Sequence, residues 1–256
     1  MPNKSKRRSA PSHESIRIVP LYGPHPLAAA APPKLTYRKG QLIAAAEVFT
    51  IFWGKGWKQA PQSALIGQLN GFFDFVLTSE LIDQLSEYTV PNYRISHGKR
   101  TGTTTITTPA LKTSVSDSAV QGMLRQLIAS RKGIPKATAN TLYFVFVDKG
   151  VRVVMGGAAS CQAFCGYHSA IDGTTIYYAV MPYPGCNGCL GGAAPFDALT
   201  STSSHELCEA ITDPVPGEGW YDDANGEIGD ICAWQTRKIG QYTVQLEWSN
   251  KAGRCV

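Results

Sequence analysis

A single α/β, or α+β, domain built on a mixed β-sheet with packed helices is the fold this sequence predicts, and two observations predict it. Short apolar runs rich in Val, Ile, Phe and Tyr alternate along the chain with segments of helical period. A chain of 256 residues, 43% of them hydrophobic and 17% charged, is also long and apolar enough to bury one sizeable core.

Residues 1–36 are rich in Pro, Ala, Ser and basic side chains and end in Ala28 to Ala31 followed by Pro32 and Pro33. Such a stretch lacks the apolar surface to order itself, so a disordered tail is expected, with one domain over residues 37–256 that begins near Leu35. Val48 to Trp53 reads as a buried strand closed by Gly54-Lys55-Gly56, and Gln62 to Leu77 as an amphipathic helix with Leu65, Leu69, Phe72 and Phe73 on one stripe. Asp117 to Ser130 repeats the helical pattern: Ser116 or Asp117 caps it, Met123, Leu124 and Leu127 face inward, and Gly133 with Pro135 stops it. Thr141 to Val147 and Val151 to Val154, separated by Asp148-Lys149-Gly150, read as a hairpin or as consecutive strands. Thr175 to Met181 reads as another buried strand, and the alternating Tyr242 to Trp248 as the last.

The longest apolar run, Leu42 to Trp53, is interrupted by Glu47 and falls short of the roughly 20 residues that cross a bilayer. No membrane span is expected. Met1 to Arg8 carries positive charge with no apolar stretch behind it, so no secretory signal peptide is expected either. The net charge is +5, yet residues 1–40 hold eight Lys/Arg and one Glu, or +7, leaving 5 − 7 = −2 for the remainder. A slightly acidic body argues against a nucleic-acid-binding surface.

All seven cysteines follow position 160, with Cys161/Cys165 and Cys186/Cys189 in close pairs and Cys208, Cys232 and Cys255 beyond. Cys208 sits at helical spacing in an apolar-faced segment and is assigned as the free thiol. The simplest pairing of the other six is Cys161 with Cys165, Cys186 with Cys189 and Cys232 with Cys255, which implies an oxidising compartment. The alternative is a four-thiolate zinc ribbon from the two close pairs, whose C-x3-C half departs from the usual C-x2-C.

Chemistry concentrates between His205 and Asp230, where eight carboxylates (Glu206, Glu209, Asp213, Glu218, Asp222, Asp223, Glu227, Asp230) occur with no Lys or Arg. Carboxylates this dense repel one another unless a cation or solvent relieves them, and a bound metal is the economical explanation. Ser203 to Glu206 has the form of a capping box and Pro214 is a stop, giving a short helix from about Ser204 to Thr212. His205 and Glu209 then share a face one turn apart, able to reach one ion, with Glu206 leaning over the ion's open position as a base. The pattern is that of an H-E-x-x-H zincin with Glu in place of the second His. Zinc suits it, and the added carboxylate brings manganese or calcium into range. Glu227 is the expected third ligand, with Asp230 hydrogen-bonding His205; Asp223, Asp230 or His168 are the alternatives for that ligand. Trp220 and Tyr221 either line a cleft, with the Tyr221 hydroxyl donating to an oxyanion, or close the core.

These residues resemble a known family. His205-Glu206-Leu207-Cys208-Glu209, Thr212-Asp213-Pro214, Gly219-Trp220-Tyr221, Glu227-Ile228-Gly229-Asp230-Ile231-Cys232 and Val244-Gln245-Leu246-Glu247-Trp248 are similar in order and spacing to H-E-L-A-E, N-P, W-Y, E-I-A-D-x-C and V-Q-W-x-W of the exordium-like, phosphate-induced-protein family. Upstream, Phe49 to Lys55, Phe164 to His168 and Pro184 to Cys189 resemble that family's W-Y-G-K, F-C-x-x-C-G-x-H and C-P-G-x-C segments. The likeness spans about residue 35 to 256 and is strongest after 160. It implies export and disulfides, since the family is known mainly from secreted plant cell-wall proteins with bacterial relatives and no settled catalytic activity. Here Cys208 stands where the family has Ala, the close cysteine pairs are spaced differently, and Ala233 to Gln241 replaces a glycine-rich insert.

The functional expectation is a zinc-dependent hydrolase, a metallopeptidase acting on a peptide or protein, with His205, Glu209 and Glu227 holding the ion and Glu206 activating its water. The alternative is a non-catalytic extracellular protein with a structural ion that binds a cell-wall polymer or a protein partner. A third reading, an intracellular zinc–cysteine protein, requires free or zinc-bound thiols.

Overall fold

The computed structural model describes residues 18–23, 32–130 and 133–256. In chain order the strands are β1 (Ile18–Pro20), β2 (Thr36–Tyr37), β3 (Ala45–Trp53), β4 (Ser96–Ile106), β5 (Ser114–Ser116), β6 (Thr141–Val147), β7 (Arg152–Met155), β8 (Ala158–Ala159), β9 (Phe164–Ala170), β10 (Tyr177–Met181), β11 (Trp220–Tyr221), β12 (Thr236–Ile239), β13 (Tyr242–Gln245), β14 (Trp248–Ser249) and β15 (Arg254–Cys255). The helices are α1 (Ala64–Val76), α2 (Glu80–Leu85), α3 (Asp117–Ser130), α4 (Asn187–Leu190) and α5 (Pro195–Thr212).

A mixed six-stranded sheet, ordered β1-β9-β10-β6-β3-β4, forms the middle layer. β4, β3, β6 and β10 run parallel, β9 is antiparallel to β10, and β1 is antiparallel to β9. The central strand β6 is buried throughout, as a parallel strand covered on both faces must be. Its alternation sends Leu142, Phe144 and Phe146 to one core with Phe72 and Phe73 of α1 and Leu207 and Ile211 of α5. Tyr143, Val145 and Val147 go to the other core, with Val120, Met123 and Leu124 of α3. The result is a three-layer helix–sheet–helix domain, the expected α/β class. No helix among the described residues is long and apolar enough to cross a membrane.

Several expectations need correction. The helix expected from Ser204 begins at Pro195, with Pro at the first turn and Asp197 in it, a favourable start because Pro lacks only an N–H that has no helical partner there. Ser203 is therefore buried inside the helix rather than capping it. The Thr/Ser run that precedes His205 is helix interior, where Thr200 Oγ1 returns to the Asp197 carbonyl at 3.1 Å and Ser204 Oγ to that of Ser201 at 2.7 Å. Of the two readings of Thr141 to Val154, consecutive strands hold and the hairpin does not, since β7 follows β6 but pairs with β5 and β8. The single strand expected over Tyr242 to Trp248 breaks after Gln245, where the chain leaves β12 and Glu247 pairs with Val256. Within the stretch expected to be without order, Ile18–Pro20 pairs with β9 and buries Val19; most of that expectation otherwise falls outside the described residues.

The disulfides are Cys161–Cys186, Cys165–Cys189 and Cys232–Cys255. The third was expected; the two short-range pairs were not formed. Cys161 lies in the turn before β9 and bonds Cys186 just before α4, while Cys165 in β9 bonds Cys189 in α4, so two staples join β9 and its leading turn to the segment before α5. Cys208 is the free, buried thiol, as expected. Because Cys161, Cys165, Cys186 and Cys189 are all bonded, the ribbon thiolates do not exist. Three disulfides fit an oxidising compartment.

Thiol titration without reductant should find no reactive thiol in the native protein and one after unfolding, and peptide mapping should recover the Cys161–Cys186 and Cys165–Cys189 pairs. Removing the second, which closes a separation of 24 residues, should cost about 3 kcal/mol in denaturant unfolding. Recovery of Cys161–Cys165 would contradict this frame.

Candidate metal centre

Helix α5 is buried from Ala198 to Thr212, so its polar side chains have only protein to meet. Strand alternation gives the first partner. Tyr167 of β9 faces α3, and His168 therefore faces α5, opposite Ala179 in register. The helix comes close enough to use it because position 166 is glycine: a Cβ there would stand 2.7 Å from Thr202 Cγ2 and 3.1 Å from Glu206 Oε1. The loop after β11 approaches from the other side by the same device, since a Cβ on Gly229 would lie 2.8 Å from His205 Nδ1.

His205 and Glu209 meet one turn apart, Nε2 to Oε1 at 3.0 Å, and Asp230 Oδ1 lies 4.0 Å from the same nitrogen. The Asp230 amide donates to Glu209 Oε1 at 3.1 Å. On the far side of Glu209, His168 Nδ1 lies 3.1 Å from Glu206 Oε2 and 3.4 Å from Glu209 Oε2. His168 Nε2 donates to the Asp213 carbonyl at 3.1 Å and faces Glu227 Oε1 at 3.4 Å. Two trios, His205–Glu209–Asp230 and His168–Glu206–Glu209, each have ligand atoms within 4.8 Å of one another. The side chains of His168, His205, Glu206, Glu209 and Glu227 are fully buried.

The expected site residues thus converge with one rearrangement. Asp230, not Glu227, completes the set on His205, because Glu227 turns to His168. Asp223 is on the surface, paired with Arg38, and takes no part. Tyr221 lies in β11 with the Arg38 guanidinium 4.3 Å over its ring, and Trp220 donates to the Tyr88 carbonyl at 2.8 Å. The Asp213 carboxylate accepts the amides of Gly217, Glu218 and Gly219 at 2.6, 3.0 and 2.6 Å and closes the loop that follows α5. Two residues went unread in the sequence. Gln245 of β13 sets its amide nitrogen 2.8 Å from His205 Nδ1, and Glu247 is fully buried with both carboxylate oxygens unpartnered.

The electrostatics of the metal-free cluster follow from burial and crowding. Glu227, Asp230 and Glu247 are pushed well above the carboxylate range, first by burial and then by Glu209 nearby, and Glu206 is raised by burial as well. Burial carries Asp213 to about 6 against its amide hydrogen bonds. Burial would lower both imidazoles, yet the Glu209 carboxylate takes His205 to about 10, and Glu227, Glu206 and Glu209 hold His168 well above its ordinary value. Glu209, which burial would raise, is drawn down to about 2 by His205 and His168. No Lys or Arg forms an ion pair with the cluster among the described residues. Buried and unpartnered are Glu206 Oε1, Glu209 Oε2, His205 Nε2 and both Glu227 oxygens. Orphaned acceptors of this kind fit a bound cation, and imidazole with carboxylate is a donor set for zinc.

No family model, curated protein or solved structure matches the chain.

Groups whose folded pKa is raised stabilise the fold below their unfolded pKa and lose that contribution as pH rises through the folded value. Asp213, Glu206, Glu227, Asp230, Glu247 and both imidazoles share this sign, and Glu209, the opposite case, acts only toward about pH 2. Chelator-stripped protein should therefore melt at a lower temperature at about pH 8 than at about pH 5.5. Added zinc, which requires deprotonated ligands, should raise Tm more at the higher pH. A stripped protein whose Tm climbs over this window would refute the assignment.

Proposed function

We propose that this chain is a secreted, disulfide-stapled metalloprotein of the exordium-like kind, whose buried centre binds a divalent cation through His205, Glu209 and Asp230. Zinc is the ion this donor set suits, with manganese or calcium as alternatives. The observation that carries the reading is the enclosure of these side chains, without Lys or Arg partners, beside orphaned carboxylate oxygens. Isolated buried carboxylates are costly, and a divalent cation removes that cost while using the oxygens as donors. Secretion is supported by the three disulfides and by the family resemblance. Enclosure favours an ion held for structure in a protein that binds a wall polymer or protein partner at its surface, because closed coordination marks structural sites.

Glu206 favours a second reading, a zinc-dependent hydrolase acting on peptides. Its carboxylate follows His205 directly on α5 and keeps Oε1 unpartnered, the placement of a base next to an ion. When bound, the ion would act as a Lewis acid and lower the pKa of its water. Against this reading, a peptide would have to reach a carboxylate that is fully buried.

Elemental mass spectrometry of the purified full chain should find zinc in the wild type and a loss of one equivalent in His205→Ala. A wild type that binds no divalent ion after reconstitution would overturn the proposal. Cleavage of a peptide library by zinc-loaded wild type, abolished in Glu206→Gln, would select the hydrolytic reading over the structural one.

A further inference from the structure

The two trios share one residue, and they share it through different atoms. Glu209 turns Oε1 to the His205 ring and the Asp230 amide and Oε2 to His168. We infer that the centre holds two divalent cations bridged by the Glu209 carboxylate, the second ion bound by His168 Nδ1, Glu206 and Glu209 Oε2. This inference rests on the reading of the cluster as a cation centre and extends it to a second ion with its own ligands.

Three observations carry it. The first is spacing. Ligands about 2.0–2.2 Å from a tetrahedral ion stand about 3.3 Å from each other, and His168 Nδ1 is 3.1 Å from Glu206 Oε2 and 3.4 Å from Glu209 Oε2. A carboxylate that offers one oxygen to each of two ions is the usual bridge in two-metal sites, whose ions lie about 3.5–4 Å apart.

The second is the state of the imidazole. The Asp213 carbonyl can only accept, so its 3.1 Å contact fixes a proton on His168 Nε2, and it is the Nδ1 facing the two carboxylates that would give up its proton and turn a lone pair to an ion. That is the tautomer a metal ligand needs. His205 is less prepared: Gln245 sets an amide nitrogen at its Nδ1, which places the proton on Nε2, and ligation there requires the Gln245 carboxamide to turn. The His168 position should therefore fill first.

The third is charge. Asp213 is satisfied by three backbone amides, and Glu247 makes no ion pair with either imidazole and belongs to neither trio. Glu206, Glu209, Glu227 and Asp230 remain, four carboxylates in one enclosure without an ammonium or guanidinium partner. Two divalent cations balance four carboxylates, whereas one leaves two of them to be held protonated.

The test is metal counting on the full chain, loaded with excess zinc and freed of unbound ion. Wild type should retain two equivalents and His168→Ala and His205→Ala one each, with folding of each variant checked by circular dichroism. Manganese titration of the wild type gives a readout independent of any variant. The isolated six-line paramagnetic signal should appear at the first equivalent and collapse into an exchange-coupled signal at the second. A wild type that saturates at one zinc, with an uncoupled manganese signal throughout, overturns the two-ion centre. If that single zinc is lost in His205→Ala and kept in His168→Ala, the one-ion proposal stands. If no ion binds at all, both readings fall.

Discussion

Glu209 stands between two imidazoles in the dry interior of the domain, and the rest of the site is arranged to make that placement tolerable. An ionised carboxylate without water survives in a protein only when paired and hydrogen-bonded. Glu209 has His205 on its own helix, His168 on β9 and the Asp230 amide from the loop beyond β11. Those three contacts come from three separate parts of the chain, so the charge of one residue fixes the position of a helix, a strand and a loop relative to each other.

The backbone carries the consequences. Helix α5 and β9 approach so closely that Gly166 leaves no room for a side chain, and Gly229 does the same for the loop against the His205 ring. The hydroxyl residues ahead of His205 serve the same closeness on another side: they are short, Ser204 bonds back to the Ser201 carbonyl, and its Oγ accepts the Gln245 amide at 2.9 Å. Gln245 is thereby held where its amide nitrogen meets His205. Small residues on α5 and a polar strand beside it thus form one device for steering an imidazole.

How far the sequence reveals this depends on how local each signal is. α3 and β6 occupy the residues that periodicity and flanking breakers indicate, because helix caps and apolar runs are written within a few positions. The His205–Glu209 pair was legible for the same reason, being one turn of one helix. The start of α5 was not. Ser203 and Glu206 imitate a capping box, while the Thr/Ser run that conceals the true start at Pro195 is helical only because β9, β10 and β13 cover it. His168 was legible only as an alternative third ligand, since its partners Glu206, Glu209 and Glu227 come 38 or more residues later. The choice between Glu227 and Asp230, three residues apart in one loop, turns on a carboxylate's direction, which no spacing rule encodes. Disulfide pairing failed similarly: proximity in sequence joined Cys161 to Cys165, while the fold bonds them to Cys186 and Cys189.

The disulfides and the candidate metal-ligand residues lie on the same segments, so the cross-links tie the polar interior into the fold. Cys165 precedes His168 by three residues on β9, Cys189 lies just ahead of α5, and Cys232 follows Asp230 by two. Each cross-link removes conformational freedom from the unfolded chain, and each does so where a metal-binding side chain would otherwise pull its segment toward water. A cluster of carboxylates favours opening. Covalent closure at the mouth of β9, at the approach to α5 and behind the Asp230 loop opposes that tendency without adding a positive side chain. The cluster is consequently left without a lysine or arginine partner, and its crowded carboxylates take up protons in place of one.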